Sequence, residues 1–359
     1  VTSSSGAPTG YAVPLAEHTT LRLGGPADRL VRATTAEALV EAVRSADDEA
    51  GSGPRPLVLG GGSNVVVADD GVPGTTVLVD TRGRSIERTG AGAVLTVAAG
   101  EDWDAVVAET VAGGWSGLEC LSGIPGRVGA VPVQNVGAYG VEIAELLVDV
   151  DLYDRRAGTV RTHVPAAELG LGYRTSTLKG RDDAVVLTVR LRLAAGPESV
   201  PLRFPELARA LDVPSGGRAP APEVREAVLA LRRSKGMVLD AADHDTWSAG
   251  SFFTNPIVDA ATAERVAALV PAEMPRWPAG DGLVKLSAAW LISRTGFERG
   301  HPGPGGRVSL STRHSLALTN RGEGTAADLL ALAREVRDGV HTRFGVRLTP
   351  EPVLVGCTL

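Results

Sequence analysis

Aromatic side chains are scarce in this chain: 4% of 359 residues, with five phenylalanines in all. Two of those five stand side by side in "AGSFFTNP", just after Ser251. Cysteine is almost missing, and the spacing of Cys120 and Cys357 matches no zinc or redox motif. Both read as free, buried, inert thiols in a reducing cytosol. The six histidines are dispersed and form no HExxH pair, which argues against a catalytic metal. No excess of either charge exists, with Lys plus Arg at 36 and Asp plus Glu at 42 for a net −6, and no long run of one sign. That balance disfavours non-specific binding to nucleic acid or to a membrane surface, while leaving room for basic residues that meet a small anion. No apolar run is long enough to span a bilayer, and "VTSSSGAPTGYAVP" lacks the basic start and apolar stretch of a secretory leader. A soluble cytoplasmic protein without membrane insertion is expected, with a short disordered start over residues 1–14.

What is present is a mixed α and β pattern long enough for two or three domains. Short β-branched runs read as strands: "PLVLGGG", "VVVADDG", "TTVLVD", "AVLTVAAG", and later "LVDVDLYD" and "VVLTVRLRL". Thr35 and Asp102 are placed to cap helices, the second stopped by Gly113 and Gly114. Further helices end near Lys235, start at Ser287, and run from Thr325 to Gly345. Strands and helices do not alternate as in a doubly wound sheet. The composition of "RGHPGPGGR" (299–307) reads as a flexible surface loop.

Two glycine-rich stretches carry chemistry. In "LVLGGGSNVVVADDG" the glycines lead into Val65, Val66 and Val67, which prefer a strand, whereas a Rossmann fingerprint opens a helix. The loop is therefore either an anion-binding nest of backbone N–H groups or a tight hairpin with no ligand. The second, "CLSGIPGRVGAVPVQNVGAYG" (120–140), is broken by Pro125 and Pro132 and must be a chain of turns. Together the loops offer backbone contacts to a large flat cofactor. Neither has the Lys-Ser/Thr ending of a P-loop, which disfavours nucleotide hydrolysis.

The ordered motifs "HTTLRLGGPA", "LGGGSNVVVADDG", "GLECLSGIPGRVGAVPVQNVGAYG", "LGYRTSTLKG", "AGSFFTNP", "VKLSAAWLI" and "TPEPVLVG" extend over nearly the whole chain. They resemble those of the UDP-N-acetylenolpyruvoylglucosamine reductases (MurB), which reduce UDP-N-acetylglucosamine enolpyruvate to UDP-N-acetylmuramate for peptidoglycan. The resemblance implies an α+β fold that is not Rossmann: two FAD-binding subdomains of the vanillyl-alcohol-oxidase (PCMH) type and a third, α/β substrate-binding domain. Their expected bounds are 15–82, with 346–359 returning to it, 83–234, and 235–345. It implies non-covalent FAD, NADPH as hydride donor, and a monomer.

By the same resemblance the flavin contacts are Arg22, Gly60, Gly61, Gly62, Ser63, Asn64, Ser122, Gly123, Ile124, Pro125, Gly126, Gly129, Ala130, Asn135, Gly137 and Ala138. Ser251 is the proton donor, with Phe252 and Phe253 expected to keep water from it. Arg174 polarises the substrate carboxylate, and Glu351 assists charge stabilisation or proton delivery. Tyr139, Tyr173, Lys235 and Asn255 contact substrate, Lys235 at the diphosphate. The long interval from Arg174 to Ser251 fits the type I branch, where a closing loop bears a tyrosine. Phe204 takes that position here and can stack but not hydrogen-bond. Pro352 after Glu351 is a second departure. The competing reading is a flavin oxidase of the same superfamily. Such enzymes often hold FAD covalently through histidine or cysteine; these loops hold no histidine, and an oxidase has no use for the serine, arginine and glutamate.

Overall fold

The computed structural model describes residues 8–90, 92–270 and 272–359. They fall into two compact units. The first comprises Pro26–Gly62 and Val72–Val238, with the described N-terminal residues up to Val13; the second comprises Pro14–Gly25, Ser63–Gly71 and Leu239–Leu359. The units do not break at 82/83 or 345/346.

Among the described residues the first unit contains a two-stranded sheet, Gly137–Ala138 with Val141–Glu142, and two larger ones. One is ordered Thr9–Pro14, Pro26–Ala33, Val72–Val79, Leu57–Leu59, with parallel pairing along the last three strands. Parallel neighbours need a crossover, and helix α1 (Ala36–Ala50) supplies it. Thr35 caps α1 by accepting the Ala38 amide, while Leu39, Val43 and Ala46 form its buried face. The other sheet is antiparallel, in the order Thr159–Pro165, Leu147–Asp154, Ala184–Ala195, Gly92–Ala98, Arg84–Thr89. Gly92–Ala98 buries alternate residues, Ala93, Leu95 and Val97, as a half-buried strand must. Helix α2 (Trp103–Ala112), capped by Asp102, adds Trp103, Val106 and Val107 to this core. Helices α3 (Pro205–Ala210) and α4 (Ala221–Ser234) follow.

In the second unit, Ser248–Ser251, Ala317–Asn320 and Val308–Leu310 form one small sheet, and Ile257–Asp259, Leu283–Leu286 and Arg276–Pro278 another. Val353–Val355 runs parallel to Val65–Val67. Helices α5 (Ala260–Ala268), α6 (Ala288–Arg294) and α7 (Ala326–Phe344) complete it. Helix α7 has a capping box of Thr325 and Asp328 and ends at Gly345, whose φ of 67° suits glycine.

Several expectations need correction. Residues 1–7 lie outside the described residues, but Thr9–Pro14 is a strand, an exposed edge whose backbone pairing replaces the apolar alternation that would have announced it. Gly60–Asn64 is not a hairpin, because the strands on either side of it join different sheets. The 299–307 stretch is a surface loop as expected, tied by Gly303 donating to the Val308 carbonyl and Leu310 to that of His301. Cys120 is buried, with its thiol pushed up to about 12 by burial, whereas Cys357 is only half-buried.

One ion pair secures the first unit. Arg155, with 2% of its side chain exposed, grips Asp47 of α1 through two bonds of 2.6 and 2.9 Å. Stripping the partner from a buried charge leaves its desolvation uncompensated. Asp47→Ala should therefore lower unfolding free energy by about 3 kcal/mol, measured by urea titration; a loss near zero would mean that Arg155 is solvated.

Candidate functional site

In the first unit the two glycine loops meet. A Cβ on Gly61 would stand 2.7 Å from the Gly126 Cα, and one on Gly129 would stand 2.6 Å from the Ala99 Cβ. Only bare backbone permits such an approach. The second loop is braced from behind. Ser122, wholly buried, donates to the Glu119 carbonyl at 2.7 Å, and the Gly123 amide donates to Asp104 at 2.6 Å. Burial raises the Asp104 carboxyl, but Arg225 and the Gly123 amide outweigh it and hold the group below its usual range. Ile124 packs on the core, and Ala130 closes a turn of 3₁₀ helix (Val128–Ala130).

The same unit gathers the residues around Arg174. Its Nη2 donates to the Gly137 carbonyl at 2.6 Å, Nη1 reaches the Asn135 carbonyl at 3.5 Å, and the guanidinium lies 5.4 Å from the Tyr173 ring. A Cβ on Gly137 would come within 3.0 Å of Nη1, so glycine there makes space for the arginine. Asn135 spends its own side chain on Glu142, the Gly172 carbonyl and the Ala144 amide. Its backbone amide donates to the Pro132 carbonyl, so that Asn135 braces the loop with side chain and backbone together. Ala138 and Val141 pair across a two-residue turn at Tyr139 and Gly140, whose φ values of 50° and 84° match the tight hairpin types. Arg174, Asn135 and Tyr139 all have positive φ without being glycine. Such strain clusters at functional sites.

Tyr139 meets Phe204 edge to face at 5.2 Å, and burial raises its phenol pKa. Phe204 itself is 36% exposed at the start of α3. Lys235 at the end of α4 is paired with Glu206 at 2.5 Å. Arg232, one turn before it, was not anticipated; its Nε is buried with no hydrogen-bond partner. Its spacing from Lys235 on one helix was the available signal.

The second unit brings Ser251 and Glu351 onto neighbouring extended segments. The Glu351 amide donates to the Phe252 carbonyl at 2.8 Å, Phe253 bridges Pro350, and Thr254 N donates to the Thr349 carbonyl at 3.1 Å. Asn64 joins them, donating from Nδ2 to the Glu351 carbonyl at 3.4 Å and accepting from Val353 N at 2.9 Å. Ser251 ends its strand opposite Ala317, after Gly250 at φ 74°. Among the described residues its hydroxyl makes no hydrogen bond. Phe252 and Phe253 are each 1% exposed, both rings lying in the apolar cluster of the second unit. Asn255 uses its side-chain oxygen to accept the Ala288 amide of α6. Arg22, also at positive φ, has its carbonyl held by Asn320, and its buried Nε lacks a partner.

Asp245, unforeseen in the sequence, anchors the approach to the Ser251 strand. It is 3% exposed and accepts from Ser311 Oγ at 2.8 Å, Thr312 N at 3.0 Å, Thr312 Oγ1 at 3.2 Å and Arg321 Nη1 at 3.0 Å. Burial raises its carboxyl, and those donors more than reverse that, leaving it below the ordinary value. No group of His, Cys, Asp and Glu able to hold a metal occurs among the described residues.

Comparisons with known proteins agree along the whole chain. Residues 27–163 match the model of an FAD binding domain, and residues 242–355 match that of the UDP-N-acetylenolpyruvoylglucosamine reductase C-terminal domain. The UDP-N-acetylenolpyruvoylglucosamine reductase of Saccharopolyspora erythraea is 63% identical over 100% of this chain and 98% of its own. That of Salinispora arenicola is 57% identical over 96% and 95%. The crystal structure of the reductase MurB from Thermus caldophilus superposes with a TM-score of 0.64 at 26% identity, covering 97% of this chain and 98% of that one.

Because the Asp245 carboxyl is held down in the folded chain, its stabilisation is full above the unfolded value of about 3.9 and fades as pH falls through the folded pKa. Asp245→Asn should therefore be less stable than the parent at neutral pH, and the gap should narrow below about pH 4. Urea titrations across that range check this; a gap that stays constant into acid would contradict it.

Proposed function

The chain belongs to the UDP-N-acetylenolpyruvoylglucosamine reductase family, and from that premise we propose how its own residues carry the reaction. It is an FAD-dependent oxidoreductase that uses NADPH to reduce UDP-N-acetylglucosamine enolpyruvate in peptidoglycan synthesis. The residues present fit the cofactor: in the first unit two glycine loops leave bare backbone for a flat group. Gly60, Gly61, Gly62, Ser63 and Asn64 would hold FAD from one loop, and Ser122 to Gly126, Gly129, Ala130, Asn135, Gly137 and Ala138 from the other, chiefly through backbone. Bound there, FAD would supply the two-electron hydride chemistry that links NADPH to the methylene carbon of the enolpyruvyl group.

Hydride arrival leaves negative charge at the neighbouring carbon and its carboxylate. Arg174 stabilises that charge; its planar, permanent cation suits a carboxylate or enolate better than an ammonium would. Ser251 gives its proton to the carbon and is reprotonated from solvent, so that one hydride and one proton have crossed the double bond and NADPH has become NADP⁺. Glu351, tied by backbone to Phe252, assists charge or proton delivery. Tyr139, Tyr173 and Asn255 orient the substrate. Lys235 takes the diphosphate, which would replace Glu206 as its partner. Phe204 stacks on the sugar or uracil. We place the reaction in the cytoplasm, where NADPH is drawn on, and in a monomer; no helix among the described residues is long and apolar enough to cross a membrane.

The observation that carries this reading is the Ser251 hydroxyl, without a hydrogen-bond partner among the described residues, on the segment bonded to that of Glu351. Ser251→Ala should leave reduction by NADPH intact and slow reoxidation by the enolpyruvyl substrate by about 10²- to 10⁴-fold. Stopped-flow absorbance of each half-reaction decides it; unchanged reoxidation in folded, FAD-loaded protein would remove Ser251 from the mechanism.

Gly61→Ala places a Cβ against the Gly126 backbone and forces the loops apart. It should weaken FAD binding at least about tenfold, the equivalent of about 1.4 kcal/mol. Flavin retained through gel filtration measures this, and full retention would show that the loops do not grip the cofactor.

A further inference from the structure

The 311–317 turn touches the backbone on both sides of the peptide that joins Ser251 to Phe252. Ala317 pairs with Ser251, and the Leu316 carbonyl accepts the Phe252 amide at 2.7 Å. The shape of that turn is set by one buried hydroxyl. Ser311, at 0% exposure, accepts the amides of Arg313 and His314, both at 3.0 Å, and donates its proton to Asp245. Its own amide closes the turn on the Ala317 carbonyl at 2.8 Å. Asp245 adds the Thr312 amide, and Arg321 balances its charge. Each polar atom of Ser311 thus has a partner, in a place where no water competes.

We propose that Ser311, locked by the Asp245 carboxylate, is a positioning residue for the Ser251 hydroxyl. The inference rests on Ser251 being the proton donor. A general acid works only if its hydroxyl is held at the reacting carbon, and misplacement of about 1 Å can lower a rate by about 100-fold. An unbonded hydroxyl has nothing of its own to orient it, so backbone placement has to do so. Removing the Ser311 hydroxyl leaves two amides without an acceptor and the carboxylate short of a donor. The turn relaxes, and with it the strand that bears Ser251.

Ser311→Ala tests this, with Ser311→Cys, close in size, as the second variant should the first not fold. Two measurements are made on FAD-loaded protein: exchange of the Phe252 amide with solvent, and the two half-reactions. The expected result is faster Phe252 exchange, NADPH reduction as in the parent, and reoxidation by substrate slowed by about 10- to 100-fold. In a Ser251→Ala background, Ser311→Ala should bring no further loss, since it acts through the missing group. Equal slowing of both half-reactions, or an additive loss in that background, overturns the inference. Ser251→Ala with unchanged reoxidation would instead sink the proton-donor assignment and this inference with it. A clear effect of Ser251→Ala, with none from Ser311→Ala or Ser311→Cys, overturns the positioning role alone.

Discussion

The bond from the Glu351 amide to the Phe252 carbonyl, 2.8 Å long, is the constraint that sets the register of the Ser251 and Glu351 segments, on which the proposed chemistry of the second unit depends. It is one rung of a short antiparallel ladder that includes the Phe253–Pro350 bridge and the Thr254–Thr349 bond. Residues a hundred positions apart in sequence are thereby registered to within one peptide. The same ladder explains why Phe252 and Phe253 are core residues: with both rings anchored at 1% exposure, the segment cannot slide. Rigid backbone beneath Ser251 is what the proposed proton donor requires to be held in place.

The first unit solves a different problem, that of bringing backbone close to a large ligand. Glycine at 61, 126, 129 and 137 removes side chains where chains cross or where Arg174 enters. Polar bracing then replaces the stiffness that glycine gives up. Asp104 takes the Gly123 amide, Ser122 takes the Glu119 carbonyl, and Asn135 makes three bonds with its single amide. Positive φ at Arg174, Asn135 and Tyr139 is sustained by that bracing.

Local features were readable from sequence. Thr35, Asp102, Ser287 and Thr325 cap helices as their positions imply, since a cap involves only its own first turn. The preference of Val65–Val67 for a strand rightly excluded a Rossmann loop. Ser251 and Glu351 were legible only through motif resemblance, because nothing in periodicity pairs distant segments. Asp245, Ser311 and Arg232 escaped notice for a related reason: a buried polar group is defined by tertiary partners, and isolated in sequence each looks like a surface residue. Thr9–Pro14 escaped because an exposed edge strand carries little apolar alternation.

Electrons from NADPH pass by way of bound FAD to an enolpyruvyl carbon and not to oxygen. An anaerobic titration of the purified protein tests it most directly. The yellow absorbance should bleach with one equivalent of NADPH and return in full with one equivalent of UDP-N-acetylglucosamine enolpyruvate under argon. A flavin that stays bleached until air is admitted would contradict the account and mark the protein as an oxidase.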